Sequence, residues 1–413
     1  MIVKVDLPEL LWYGNQTLTI DLPDDWDVTL HPMRGVVSPP ISTDDMKRAL
    51  ASPYGSPRLS ELARGKRTAV IVFDDITRPT RVGEIAELVV EELVTGGVND
   101  DDITFVCALG NHGAHTSHEF RKKLSPNILE RFRVFNHNAY EHCVFMGETS
   151  RGTKVLINRE VAGADLVVGI GCVTAHANTG FSGGGKIMLP GVAHIDSAAH
   201  YHIQVHGTAP ETCGLGLFDN NVMMEDIREA VRLAGMDFKV DVLVNGRGET
   251  AALFCGDVLA QHDEAVKEAR DFYALDPVPE DRDVIISNAF IKANELFIAV
   301  ALGDEALKNR PGTVVVIANA PEGQIPHYFQ RSFGRFYGGR HYPIARIREG
   351  LDVILVAPHY DRTFTDWIEN REAIRRVASW EDARRLLEAS MGPGTRVGVI
   401  PNGTISYIER SGA

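Results

Sequence analysis

The sequence predicts an α/β protein built from two α/β domains with mostly parallel sheets. Short apolar runs typical of buried strands alternate with amphipathic helical segments along most of the 413 residues, and such alternation favours parallel sheets. The chain is long enough for two domains. Prolines at 277 and 279 end a helical segment and favour a boundary there. We therefore predict an N-terminal domain at 1–277, ending in a linker helix at about 259–274, and a C-terminal domain at 278–413.

The individual elements follow from hydrophobic periodicity. Apolar residues spaced three or four apart predict helices near 44–51 and 82–96. Apolar or alternating runs predict strands at 1–8, 68–73, 103–109 and 165–171 in the first domain, and at 283–289, 313–320, 352–357 and 396–401 in the second.

The composition excludes several classes of function. A formal net charge of −14 disfavours nucleic acid as a partner. No apolar run approaches the ~18 residues that a membrane span requires, and residues 1–8 lack the apolar core of a signal peptide. Five scattered cysteines without a CxxC pair favour reduced thiols. We expect a cytoplasmic protein that binds neither nucleic acid nor a membrane.

Polar clusters follow the apolar runs that end at residues 73, 109 and 171. Asp75 and Arg78 follow the first run, His112 the second and His176 the third. Ligands of open α/β sheets bind beyond the carboxyl ends of strands, so the pattern predicts one site. An Asp-x-x-Arg ion pair that only fixes its loop is the simpler interpretation. The two are compatible, because a carboxylate can hold an arginine ready to bind a substrate carboxylate.

Three glycines precede Lys186 in a string that nearly spells a phosphate-binding P-loop. Such a loop requires Ser or Thr after the lysine to hold magnesium, and Ile187 stands there instead. Glycines let the backbone approach a ligand closely, and the lysine offers a charge or an amine nucleophile. A plain glycine turn with an exposed lysine is the alternative, but it leaves the neighbouring histidines unexplained.

Histidines are concentrated around these clusters, and they offer proton transfer or metal ligation. An H-x2-H-x2-H string contains His112, His115 and His118. We interpret His115 and His118 as a helix cap and a solvated side chain, and keep His112 as functional because it lies nearest a strand end. We assign no role to His137. Further histidines flank the glycine loop at 176, 194, 200, 202 and 206.

Together the clusters resemble the lactate racemase family, whose enzymes use a nickel-pincer nucleotide. The resemblance covers most of residues 8–210 and implies an isomerase, a racemase or epimerase of a small-molecule 2-hydroxy acid. It rests on Asp75-x-Thr77-Arg78-Pro79, Gly110-x-His112, His176-x4-Phe181-Ser182-Gly183-Gly184-Gly185-Lys186, Leu189-Pro190-Gly191 and His202.

The resemblance implies how the cofactor is held. Lys186 carries pyridinium-3-thioamide-5-thiocarboxylic acid mononucleotide through its thioamide, and His202 binds the nickel ion of this group. The family ligand lies sixteen residues after the lysine, which selects His202 over His200. Proteins that make the cofactor are the implied partners.

The resemblance also implies how the substrate is handled. His112 and His176 flank the reacting carbon and exchange the hydroxyl proton, while the α-hydride moves reversibly to the cofactor. Asp75 and Arg78 bind the substrate. We expect these residues to converge on an active-site cleft between the two domains.

The sequence departs from the family pattern, and this bears on the substrate. Gly113 follows the first catalytic histidine, where family members have arginine. Phe297, Ile298 and Ala301 stand where lactate racemases have Tyr-Gln-x-x-Lys, whose Gln and Lys reach the substrate. A substrate carboxylate loses a partner typically worth ~1.5–3 kcal/mol, so we expect a 2-hydroxy acid other than lactate. Candidates for the missing charge are Lys292, His327, Arg331 and Arg335.

Two other functions are compatible with the same residues. His112, His176 and His202 have the right side chains for a zinc-dependent hydrolase, with Asp75 as the general base. The apolar residues in place of the family's Gln and Lys also fit a catalytically altered homologue that binds the cofactor without turnover.

Overall fold

The chain folds into two compact units, and the α/β class predicted from the sequence is confirmed. The computed structural model describes residues 2–308, 310–329, 345–360, 366 and 368–410. The larger unit contains Ser38–Asn245 and Glu249–Arg270. The smaller unit contains Met1–Val37, Gly246–Gly248 and Asp271–Ala413.

The described residues form strands and helices that alternate along most of the chain. The strands are β1 (Ile2–Glu9), β2 (Gln16–Pro23), β3 (Asp27–Leu30), β4 (Ala69–Asp74), β5 (Ile103–Ala108), β6 (Arg133–Asn136), β7 (Cys143–Glu148), β8 (Lys154–Asn158), β9 (Leu166–Cys172), β10 (Ala175–His176), β11 (Gly180–Phe181), β12 (Phe238–Val244), β13 (Thr250–Gly256), β14 (Val284–Asn288), β15 (Gly312–Ile317), β16 (Leu351–Val356), β17 (Ile374–Val377) and β18 (Arg396–Ile400). The α-helices are α1 (Thr43–Leu50), α2 (Leu59–Leu62), α3 (Val82–Thr95), α4 (Ser117–Lys123), α5 (Pro126–Arg131), α6 (Arg159–Ala162), α7 (Ile195–His200), α8 (His206–Thr208), α9 (Val222–Ala234), α10 (Val258–Phe272), α11 (Phe297–Ala306) and α12 (Trp380–Ser390).

The larger unit is built on a six-stranded sheet in the order β13-β12-β9-β4-β5-β6. Its neighbours are parallel, except that β12 and β13 are antiparallel. From β4 the chain moves outward through β5 and β6 and then returns to the other side of β4 with β9 and β12. The strand order therefore reverses at β4. Open α/β sheets bind ligands outside the carboxyl ends of strands at such a switch point.

Packing explains why β4 and β9 lie in the middle of this sheet. Every residue of both strands is buried, as expected for strands that are covered on both faces. Helix α9 contributes Ile227 and Val231 to a core cluster that also contains Met188 and Tyr201. Those two residues belong to the segment that follows the glycine loop, so the hydrophobic core fixes this segment against the sheet.

The smaller unit is built on a parallel sheet in the order β17-β16-β15-β14-β18-β3. Its edge strand β3 pairs with β18, and the hairpin of β1 and β2 contributes Leu7 and Ile20 to the core of this unit. The predicted division at 1–277 and 278–413 therefore differs from the observed one at the N terminus. Residues 1–37 belong with the C-terminal strands, since β3 pairs with β18. The sequence did not show this, because a pairing between strands more than 360 residues apart leaves no local signal.

Two structural findings concern the apolarity of the helices and the state of the cysteines. Within the described ranges, no helix is both long enough and apolar enough to cross a bilayer. All five cysteines are free thiols.

His137, which received no role from the sequence, is a buried histidine that joins two loops of the larger unit. Its Nε2–H donates to the carbonyl of Ala193 at 3.0 Å, and its Nδ1 accepts from Asn158 Nδ2 at 3.2 Å. Burial lowers the pKa of His137 from 6.5 to about 4. The folded protein therefore holds a neutral ring, whereas the unfolded chain takes up a proton as soon as the pH falls below the ordinary value.

We expect this histidine to make the protein acid-sensitive. Its folded pKa lies below its unfolded pKa, so its stabilisation is fully present above about pH 6.5 and is lost as the pH falls to about 4, a change of about 3 kcal/mol. Urea unfolding at about pH 7 and about pH 4 measures the effect. His137→Gln keeps a donor for Ala193 but does not titrate, so it should lose less stability on acidification than the wild type. The same pH dependence in both proteins would contradict the prediction.

Candidate active site at the switch point

A histidine–carboxylate pair joins the loop after β4 to the loop after β5. His112 Nδ1 lies 2.6 Å from Asp75 Oδ2, and these side chains are only 11% and 3% exposed. Burial opposes a charge on Asp75, but His112, His115 and Arg78 outweigh it and hold the pKa of Asp75 well below its usual range. Asp75 is therefore an anion that accepts the Nδ1 proton of His112. With this proton on Nδ1, the Nε2 atom of His112 bears the lone pair of the ring.

The same carboxylate positions Arg78 through Thr77. The Thr77 amide donates to Asp75 Oδ1 at 2.9 Å, and the Thr77 hydroxyl donates to the same oxygen. Arg78 Nη1 in turn donates to Thr77 Oγ1 at 2.9 Å. Arg78 is half-buried, so the orientation of its guanidinium is restricted before any ligand binds, as planar two-point recognition of a carboxylate requires.

His115 is a structural part of this loop, and its interpretation as a helix cap was wrong. It is 6% exposed, and its Nε2 accepts the backbone N–H of Ile76 at 3.0 Å. Thr116 caps α4 instead, in keeping with the preference for hydroxyl side chains at that position. His118 is exposed, and its interpretation as a solvated side chain is confirmed.

Lys186 lies beside His176, which ends β10 in the short hairpin with β11. Lys186 Nζ is 2.8 Å from His176 Nε2 and 3.5 Å from Thr179 Oγ1. The backbone N–H of Asn178 donates to His176 Nδ1 at 3.1 Å. Two residues predicted from separate motifs are thus in direct contact. A tight turn that the sequence did not reveal fixes the orientation of the histidine ring.

A buried ion pair holds the glycine loop that carries Lys186. Lys239 and Asp241 of β12 pair with 0% exposure of either side chain. Asp241 Oδ2 also accepts from Gly184 N at 2.7 Å and from Gln261 Nε2 at 2.9 Å. A Cβ at position 184 would lie 2.4 Å from His262 Nδ1, so only glycine fits. The Asp241 carboxylate accepts a backbone N–H that a phosphate-binding loop would offer to a phosphate. This contact argues against the P-loop interpretation.

We expect Asp241→Ala to lower the free energy of unfolding by about 3–5 kcal/mol, because Lys239 would keep a buried charge without this partner. The Gly184 amide would also lose its acceptor. Urea unfolding measures the loss. Asp219→Ala is the matched control, since it removes an exposed pair with Arg270 and should change stability little. A similarly small effect of both substitutions would show that the buried pair does not stabilise the loop.

His202 lies in a π-helical turn, Tyr201–Val205, between α7 and α8. Its Nδ1–H donates to the carbonyl of Ala198 at 2.7 Å. Burial is the main cause of the low pKa of His202, which falls from 6.5 to about 3. The ring is therefore neutral, and its Nε2 bears the lone pair that a metal ligand needs. π-Turns occur frequently at functional sites.

His200 has a different role from His202. Its Nε2 contacts the carbonyl of Arg151 at 3.0 Å, so this nitrogen carries a proton and ties the helix to a neighbouring loop. His194 caps α7, because its Nδ1 accepts the N–H of Asp196 at 3.1 Å. Two of the histidines after the glycine loop are thus explained as structural.

The structure brings together the residues that the sequence singled out in the first domain. Asp75, Arg78, His112, His176, Lys186 and His202 all lie in the larger unit. They follow β4, β5, β9 and the glycine loop, at the edge where the strand order reverses.

The predicted residues of the second domain lie in α11 of the smaller unit. Phe297, Ile298 and Ala301 are half-buried. Phe297 and Ala301 line a pocket of about 440 Å³ whose other lining residues include Arg346 and Arg410. Among the candidates for the missing charge, Lys292 and His327 are buried in this unit, and Arg331 and Arg335 lie outside the described residues.

The residues fit one of the two metal-dependent hypotheses better than the other. Within the described part of the chain, no three His, Cys, Asp or Glu side chains are grouped as a metal site requires. The zinc hydrolase needed His112, His176 and His202 as joint ligands, so it has no support. The pincer nucleotide would be held by one histidine and one lysine amine of the protein. His202 Nε2 and Lys186 Nζ have that chemistry.

Comparison with known proteins finds one family and two relatives. Residues 13–213 match the family described as lactate racemase N-terminal domain. The lactate racemases of Thermoanaerobacterium thermosaccharolyticum and Lactiplantibacillus plantarum are each 26% identical to the chain, over 328 and 327 residues, which is 78% of this chain and 76% of each relative.

Solved structures share the fold. The lactate racemase apoprotein from T. thermosaccharolyticum superposes with a TM-score of 0.77 at 21% identity, over 99% of this chain and 100% of that one. A Thermotoga maritima crystal structure superposes with a TM-score of 0.65 at 17% identity, over 90% and 99% of the two chains. With the matching sequence motifs and the site they form, these findings show that the chain belongs to the lactate racemase family.

Proposed function

We propose that this chain is a racemase or epimerase of a 2-hydroxy acid and works with a nickel-pincer nucleotide attached to Lys186. The observation that carries the proposal is the state of His202, whose Nδ1 proton is bonded to Ala198 and whose Nε2 can therefore bind a metal. Lys186 supplies the primary amine that a thioamide requires. The chemistry that the cofactor supplies when bound is reversible acceptance of the substrate α-hydride.

His112 and His176 move the substrate's hydroxyl proton. His112 accepts this proton at Nε2, and Asp75 stabilises the imidazolium that forms through the 2.6 Å contact. Inversion of a carbon requires acid–base groups on two sides of a planar intermediate. His176, from the hairpin after β9, is the second such group.

Arg78 binds the substrate carboxylate. Its guanidinium is oriented by Thr77, and the planar fork of an arginine matches a carboxylate. Asp75 serves both Arg78 and His112, so the loop after β4 aligns the substrate carboxylate with the proton acceptor.

We expect lactate to be a poor substrate, with kcat below ~10 s⁻¹. Phe297, Ile298 and Ala301 offer neither the amide nor the cation that the family's motif supplies, so the small lactate carboxylate depends mainly on Arg78. A chiral assay of lactate beside larger, more hydrophobic 2-hydroxy acids tests this. The double variant Ile298→Gln, Ala301→Lys should gain lactate activity. Fast lactate turnover by the wild type would contradict the prediction.

Co-expression with proteins that make the cofactor tests the function itself. The proposal expects an intact-mass adduct on Lys186, bound nickel, and interconversion of the enantiomers of at least one 2-hydroxy acid. An adduct without turnover of any acid would instead identify a homologue that binds the cofactor and has lost catalysis. The lack of any adduct when the partner proteins are active would refute the proposal.

A further inference from the structure

We propose that His176 holds Lys186 as an uncharged amine before the cofactor arrives, so that the residue proposed for catalysis also prepares the attachment site. This inference rests on the proposed function for its purpose, but the state of the amine belongs to the unloaded protein. The argument follows from the protons that each nitrogen must carry.

Only one protonation state of the His176 ring satisfies its contacts with both Asn178 and Lys186. The backbone N–H of Asn178 points at Nδ1 at 3.1 Å, and a backbone N–H only donates. Nδ1 therefore carries no proton, and a neutral imidazole then carries its proton on Nε2. In the unloaded protein, the same contact disfavours the imidazolium form.

That proton determines the state of Lys186. Lys186 Nζ lies 2.8 Å from His176 Nε2, a distance typical of a hydrogen bond. With the proton on Nε2, the lysine nitrogen must accept it, and an ammonium has no lone pair with which to accept. Only a neutral amine fits. Its own protons then face Thr179 Oγ1 at 3.5 Å.

The competing assignment gives Nδ1 the proton and lets a Lys186 ammonium donate to Nε2. Thr179 Oγ1, 3.3 Å from Nδ1, would then accept the ring proton. In that state the Asn178 N–H meets another N–H at 3.1 Å and has no acceptor there, which costs about 1–3 kcal/mol for a polar group away from water. The neutral pair avoids this conflict. Among the described residues, His202 and His112 are titratable groups that interact electrostatically in the same part of the larger unit.

An uncharged amine is the reactive form for attachment. Its nitrogen lone pair attacks the thiocarboxylic acid carbon of the incoming nucleotide, so that a C–N bond forms. The C–O bond then breaks, and the oxygen leaves as water with one proton from the amine and one from the thioacid. The product is the thioamide, and no oxidant or reductant is consumed. An ordinary lysine with a pKa near 10.4 is almost entirely protonated at neutral pH and reacts correspondingly slowly.

Competitive labelling of the unloaded full-length protein with acetic anhydride tests the state of the amine. The acetylation rate of Lys186 is measured by peptide mass spectrometry across pH, with exposed Lys4 and Lys154 as internal references. A neutral amine should label at a nearly constant rate between about pH 8 and about pH 10, whereas a lysine with a pKa near 10.4 gains about 70-fold over that range. Restricted access of the reagent changes the height of the plateau but not the midpoint. A gain of that size at Lys186 would overturn the inference.

Two variants identify the group responsible. His176→Gln can turn its carbonyl oxygen toward an ammonium, so the labelling midpoint of Lys186 should rise. Thr179→Val removes the only ring acceptor of the competing assignment but leaves the Asn178 contact, so the midpoint should not move. An unchanged midpoint in His176→Gln, or a lowered one in Thr179→Val, would overturn the role of His176. If His176→Gln fails to fold, the labelling midpoints of Lys186 in the wild type and in Thr179→Val still test the inference. A missing adduct after co-expression would refute the proposed function without affecting these midpoints.

Discussion

Replacing Lys186 with alanine is expected to abolish cofactor attachment and all racemase activity while leaving the fold intact. Attachment uses the side-chain nitrogen alone. The backbone of the loop is held by other contacts: Lys186 N donates to Gly183 O at 3.2 Å, Gly191 N donates to Lys186 O at 3.1 Å, and Gly184 is held by Asp241. None of these is lost in the variant. The side chain is half-buried and contributes no apolar surface to the core clusters.

The experiment compares wild type, Lys186→Ala and Lys186→Arg after co-expression with the cofactor-making proteins. Intact mass reports the adduct, and thermal unfolding of the unloaded proteins reports the fold. Lys186→Arg keeps a charge but has no primary amine, so it should also lack the adduct. Lys154→Ala, at an exposed lysine of the same unit, is the matched control and should load normally. Retention of the adduct and of activity in Lys186→Ala would show that the attachment point lies elsewhere.

Local patterns in the sequence were sufficient to predict the α/β class and several of its strands. Strands β4 and β9 are fully buried and β5 nearly so. All three are nearly continuous apolar runs, which is how strands covered on both faces differ from alternating ones. Their polar successors, Asp75, His112 and His176, had to meet at one edge because the strands are parallel. This inference required only that the sheet be parallel, and not the order in which its strands are connected.

Features that depend on contacts between distant residues could not be predicted. The pairing of β3 with β18 joins the two ends of the chain, and apolar alternation marks a strand without naming its partner. His115 and His118 look alike in the sequence, yet only His115 is buried against the Asp75 loop. The π-turn at His202 also has no sequence signature.

One missed feature did leave a signal. Lys239 and Asp241 are charged residues two apart in the otherwise apolar strand FKVDVLV. Side chains two apart lie on the same face of a strand, and a buried charge is retained only when it is paired. The pattern thus indicates an internal ion pair. The sequence does not reveal that this pair holds the amide of Gly184.

Replacing either His112 or His176 with alanine is expected to slow racemisation by about 10²–10⁴-fold in both directions, since loss of a general acid–base group typically has that cost. Each direction needs one histidine to take the hydroxyl proton and the other to return it, so a one-sided loss is not expected. Because His176 also contacts Lys186, activity must be divided by the loaded fraction from intact mass. His118→Ala, at an exposed histidine six residues from His112, is the control and should behave as the wild type. Loss of only one direction would contradict the opposed arrangement.

The fate of the α-hydrogen separates hydride transfer from simple proton abstraction at the same two histidines. If the cofactor takes a hydride and returns it to the other face, the hydrogen stays with the substrate, and solvent deuterium should remain absent from the α-carbon through many turnovers in D₂O. If a histidine instead removed an α-proton, it would exchange that proton with water, and deuterium would enter with each inversion. Deuterium incorporation that keeps pace with racemisation would contradict the hydride mechanism, even if Lys186 were found to carry the cofactor.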